Sequence, residues 1–99
     1  MEKQLWLRCV ASKGQFSSEL AILGQDYRGE EFSLFVERDF VEPEGDPDLG
    51  DVSARMRVKA LDRAGDLVLV RLPGETFSNG YTVTVKQDQL TESLDREPA

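Results

Sequence analysis

The chain has 99 residues, 39% of them apolar and 31% charged, with 12 Lys and Arg against 19 Asp and Glu for a formal charge of −7. It contains no histidine and one cysteine, which excludes a histidine-based triad, a His-ligated metal site or haem, and an internal disulfide. The length suits one domain, and no apolar run approaches the ~18–20 residues of a membrane-spanning helix.

Residues 4–10 place Leu5, Leu7 and Cys9 on one face and Trp6, Arg8 and Val10 on the other. This period-two alternation marks a half-buried strand. It recurs over 18–25 (Leu20, Ile22, Gly24), 31–37 (Phe32, Leu34, Val36), 52–61 (Ala54, Met56, Val58, Ala60), 67–72 (Val68, Val70, Leu72) and 81–86 (Tyr81, Val83, Val85). No stretch sustains a 3.6-residue repeat, although short helical turns fit residues 37–41 and 87–93.

Two of these strand pairs flank the sequences Asp26-Tyr27-Arg28-Gly29 and Asp62-Arg63-Ala64-Gly65. Asp-x-x-Gly suits a three-residue hairpin loop in which Asp bonds the backbone ahead of it and Gly takes positive φ. The first loop then sets Gly24 opposite Phe32, Ile22 opposite Leu34 and Leu20 opposite Val36. The second sets Ala60 opposite Val68, Val58 opposite Val70 and Met56 opposite Leu72. Both registers pair apolar with apolar, and a one-residue slip would turn each apolar set to the wrong face.

The connections differ in kind. Residues 11–17 read as a loop containing Lys13-Gly14. Residues 38–51 form a long acidic loop broken by Pro43, Gly45, Pro47 and Gly50. From Glu37 to Asp51 there are seven acids and one base, a net −6, and residues 92–99 add a net −2. The other 76 residues therefore carry +1. Residues 73–80 read as a turn-rich crossover closed by Asn79-Gly80, with Phe77 in its middle. Six short strands without a covering helix predict an all-β fold, a small SH3-like antiparallel barrel of five to six strands, partly or fully closed, because closure removes exposed edges. The expected domain spans residues 1–91, with the acidic loop at 38–51, and a disordered acidic tail follows over 92–99. The amino terminus lacks a cationic stretch followed by an apolar region, so a cytoplasmic location is expected.

The residues offer little chemistry. Cys9 is in phase with Leu5 and Leu7 and reads as a small buried apolar residue. Ser12, Ser17 and Ser18 have only Lys13 nearby as a base, and sequence adjacency does not make an activated pair. Gly14 alone makes no phosphate-cradling loop. Glu44, Asp46 and Asp48 match the first ligand positions of a calcium loop, but Leu49 stands where glycine is needed and Arg55 where the bidentate glutamate is needed. The expectation is a protein that is not an enzyme and has neither cofactor nor metal.

Two groups of residues suggest partner binding. Arg55, Arg57 and Lys59 project from the outer face of their strand, and the hairpin register sets Arg57 opposite Arg71. Like charges opposite one another call for an anion between them. That anion is the chain's own acidic loop, a carboxylate-rich partner, or nucleic-acid phosphate. A pI near 4.5 argues against the last. Ala21, Leu23 and Phe35 form an apolar patch on the outer face of the first hairpin, with Phe40 and Val41 as its expected cover. Trp6 and Tyr27 are further candidates for exposure. The sequence thus supports a non-catalytic interaction or regulatory module that binds another protein through one or both faces. The alternatives are a nucleic-acid-binding barrel that uses Arg55, Arg57, Lys59 and Arg71, or an acidic decoy of nucleic acid.

Overall fold

The computed structural model describes residues 3–78 and 80–94. Eight strands form one antiparallel system: β1 (Lys3–Lys13), β2 (Glu19–Gln25), β3 (Glu31–Glu37), β4 (Val41–Pro43), β5 (Val52–Ala64), β6 (Leu67–Thr76), β7 (Gly80–Lys86) and β8 (Leu90–Leu94). Five of them close into a barrel in the order β1-β2-β3-β6-β5, with β5 returning to β1. The expected small all-β barrel is therefore present and closed. The other three strands extend it: β4 pairs with β5, β7 with β6, and β8 with β1. Single 3-10 turns at Arg38–Phe40, Pro47–Leu49 and Gln87–Gln89 are the helical elements among the described residues. None is long and apolar enough to cross a membrane.

The alternating apolar residues fill the barrel. Leu7, Ala11, Met56, Val68, Val70 and Val85 are wholly buried, and Leu20, Ile22, Leu34 and Val36 nearly so. Leu7 sits opposite Met56 on β5 and Leu90 on β8, so one side chain joins three strands.

The first hairpin has the register its turn residues dictate, with Leu20↔Val36, Ile22↔Leu34 and Gly24↔Phe32. Asp26 Oδ1 accepts from the amides of Arg28 (2.8 Å) and Glu30 (3.0 Å), and Gly29 takes φ +81°. Opposite Phe32, Gly24 leaves room for the ring, since a Cβ there would come within 2.4 Å of Phe32 Cζ.

The second hairpin departs from expectation. β5 runs to Ala64, and a two-residue turn at Gly65-Asp66 sets Ala64 opposite Leu67. Gly65 has φ +62° while every described non-glycine residue has negative φ, as a type II′ turn with glycine first requires. Asp62 Oδ1 accepts from the adjacent Arg63 amide instead of bracing the loop. A bulge at Leu61 absorbs one residue, so Ala60 pairs with Val70 and Lys59, not Arg57, faces Arg71. At Lys59 and Ala60 this register differs by two residues from the expected one, which leaves those side chains on their faces; between the bulge and the turn, at Asp62–Ala64, it differs by three.

Other boundaries also shift. β1 continues through Ala11–Lys13, which read as loop, because those residues pair with Leu20–Ile22 of β2. β6 continues through Pro73–Thr76, and Thr76 meets Leu34 of β3 to complete the ring. β8 carries the ordered chain beyond residue 91, since Glu92, Ser93 and Leu94 pair with Leu5, Gln4 and Lys3. Residues 92–94 of the tail expected over 92–99 are thus part of a strand. Residues 95–99, and Asn79 of the expected Asn79-Gly80 turn, lie outside the described residues.

Candidate functional site

The acidic loop is pinned to the barrel, while Glu42, Glu44, Asp46 and Asp48 remain exposed. Arg38 donates from Nε to the Ser17 carbonyl and from Nη2 to Asp48 Oδ1, both at 2.7 Å. Pro47 is buried. Asp46 Oδ1 accepts from the Asp48 amide, and the Glu44 amide donates to the Ser53 carbonyl. Val41 enters the core opposite Met56, and Glu42 lies directly opposite Arg55.

The four basic residues singled out in the sequence now separate. Arg55 is committed internally: Nε and Nη2 donate to Glu42 Oε1, the first at 2.8 Å, and the guanidinium lies 4.5 Å from the centre of the Trp6 ring. Trp6 is consequently buried, not exposed, and its Nε1 donates to Ser93 Oγ at 2.7 Å. Arg57, Lys59 and Arg71 have no carboxylate partner among the described residues. Arg57 rests on Phe40 at 5.0 Å and Arg71 on Tyr81 at 5.1 Å. Each ring holds its guanidinium by a cation–π contact.

These three cations meet in a cleft of about 680 Å³ that Lys3 and Arg63 also line. Its origin lies in the pairing of β5. One edge of β5 is taken by β4 as far as Met56 and by β6 from Lys59 onward. Arg57 and Val58 lie in the gap between them. Leu5, Val58 and Leu72 form an apolar floor. Five cations against a single acid, Glu92, give the cleft a net +4. With −7 on the whole chain, −11 remains on the rest. Lys3 reaches Glu92 at 3.8 Å and Arg63 donates to Gln87 Oε1 at 2.6 Å. Lys3 and Arg63 escaped the sequence reading because barrel closure and the β5 bulge bring them to the cleft.

Ala21, Leu23 and Phe35 lie together as expected, but their neighbours differ. Val10 stands opposite Leu23, and Phe77 packs edge-on against Phe35 with ring centres 5.4 Å apart. Phe40 and Val41, the expected cover, are instead under Arg57 and in the core. The patch borders a shallow groove of about 250 Å³ that shares no residue with the basic cleft. Tyr27 is partly exposed, with Arg28 over its ring and its amide bonded to the Thr84 carbonyl.

Burial pushes the Cys9 thiol up to about 12, so near neutral pH it supplies no thiolate for nucleophilic work. Among the described residues, no three His, Cys, Asp or Glu side chains converge to hold a metal ion. Comparison with protein-family models, curated proteins and solved structures found no match to this chain.

Proposed function

We propose that the domain is a non-catalytic interaction module that captures an acidic segment of another protein in the cleft formed by Arg57, Lys59, Arg63 and Arg71. The observation that carries this reading is the sorting of charge. In a chain of −7, four of the seven described cations without a carboxylate partner, Arg57, Lys59, Arg63 and Arg71, line one cleft, while Arg8, Lys13 and Lys86 lie outside it. Lys59 and Arg71 stand directly opposite one another, an arrangement that costs stability until an anion lies between them.

A carboxylate-bearing segment fits better than nucleic acid. Duplex DNA brings one negative charge per ~1.7 Å, and such a rod would meet Glu92 within the cleft and a net −11 on the rest of the chain. A short acidic peptide needs only the cleft. The decoy reading is weakened because Glu42 and Asp48 of the acidic loop are spent on Arg55 and Arg38.

Titration of the protein with a glutamate-rich peptide and with single- and double-stranded oligonucleotides, each at low and physiological salt, tests the reading. Saturable peptide binding that weakens with salt is expected. Tighter binding of either oligonucleotide would replace this function with nucleic-acid recognition. Absence of peptide binding at low salt would refute it.

A further inference from the structure

We infer that the cleft recognises an extended segment with carboxylates at alternating positions. This inference rests on the proposed capture of an acidic segment and adds the spacing that the cleft selects.

Arg57 and Lys59 are two residues apart on the outer face of β5. A strand rises ~3.3 Å per residue, so their Cα atoms stand ~6.6 Å apart. Carboxylates at positions i and i+2 of an extended peptide share one face at the same interval. Arg71 widens the row sideways, as the cross-strand partner of Lys59.

The two arginines of the row are held in place. Phe40 lies beneath the Arg57 guanidinium and Tyr81 beneath that of Arg71. A guanidinium resting on a ring keeps its N–H donors at the edge, where a carboxylate can take two of them. Fixing the arginines beforehand lowers the entropy lost on binding. Lys3 and Lys59 lack such platforms among the described residues and supply charge without fixed geometry.

The chain already contains one instance of this recognition. β4 is an extended segment beside β5, and its Glu42 stands opposite Arg55 and accepts from both Nε and Nη2. Arg55 in turn lies on Trp6. Arg57 is the next outward residue along the same strand, with a ring beneath it and no carboxylate above it among the described residues. The occupant we infer repeats the Glu42 contact at Arg57 and again at the Lys59–Arg71 pair.

Two peptides of one composition test the inference, Thr-Glu-Thr-Glu-Thr and Thr-Glu-Glu-Thr-Thr, both capped and titrated against the full chain and against Phe40→Leu. Leucine keeps an apolar group against the core while removing the platform. The alternating peptide should bind the native chain about fivefold more tightly or better, and Phe40→Leu should bring that ratio close to one while leaving the salt dependence of binding unchanged. Equal affinities on the native chain would overturn the spacing inference and leave acidic capture standing. A ratio preserved in Phe40→Leu would overturn the role of the ring. Failure of both peptides to bind the native chain would overturn the proposed function itself.

Discussion

Reversing Arg57 and Arg71 together to glutamate is expected to weaken capture of an acidic peptide by about thirtyfold while the barrel stays folded. Each reversal exchanges an attraction for a repulsion at a largely solvated site, worth roughly 1 kcal/mol. Two such changes give about 2 kcal/mol, which corresponds to about thirtyfold in affinity. Neither arginine has an ion-pair partner among the described residues, and Lys59 stands opposite Arg71. Glutamate at position 71 would therefore replace a like-charge pair with an opposite-charge one, so the urea midpoint should move little. Thermal or urea unfolding run beside the titration separates the two effects. Unchanged affinity in a folded double variant would remove this cleft from the account. Loss of binding accompanied by loss of the folded state would mean that the two arginines serve the barrel and not a partner.

The largest effect on stability is expected at Leu7. It is fully buried and meets Met56 on one side and Leu90 on the other. Truncation to alanine removes its burial and leaves a cavity that a closed barrel cannot easily collapse. Such changes cost about 3–5 kcal/mol, a large part of the roughly 5–15 kcal/mol available to a small domain. Urea unfolding of Leu7→Ala should show a strongly lowered midpoint with little change in slope. A loss below about 1 kcal/mol would show that β8 and β5 hold together without Leu7.

What the sequence disclosed, and what it concealed, follows from how strands encode themselves. Gly24, Ile22 and Leu20 could be paired correctly with Phe32, Leu34 and Val36 because turn chemistry and alternation both specified that register. At Asp62–Gly65 the same Asp-x-x-Gly pattern misled. A glycine with positive φ serves either a three-residue loop or a type II′ turn, and alternation does not distinguish registers two residues apart. β4 was hidden because three residues with one inward apolar side chain carry no period. β8 was hidden because Leu90 alone marked its buried face, and its evidence lies in its partner, Leu7. The stripe on β5 was legible as alternating charge. Its division into a committed Arg55 and an available Arg57 was not, since that depends on β4 ending its pairing at Met56. The cleft therefore depends on the same pairing change that leaves Arg57 without a strand on one edge.

The most direct test follows backbone amide resonances while a glutamate-rich peptide is added to isotopically labelled protein. Acidic capture in the cleft predicts that the amides of Arg57, Lys59, Arg63 and Arg71 shift together along one saturable curve, with the apolar patch unmoved. Shifts confined to Leu23, Phe35 and Phe77, or no shifts at saturating peptide in low salt, would contradict it.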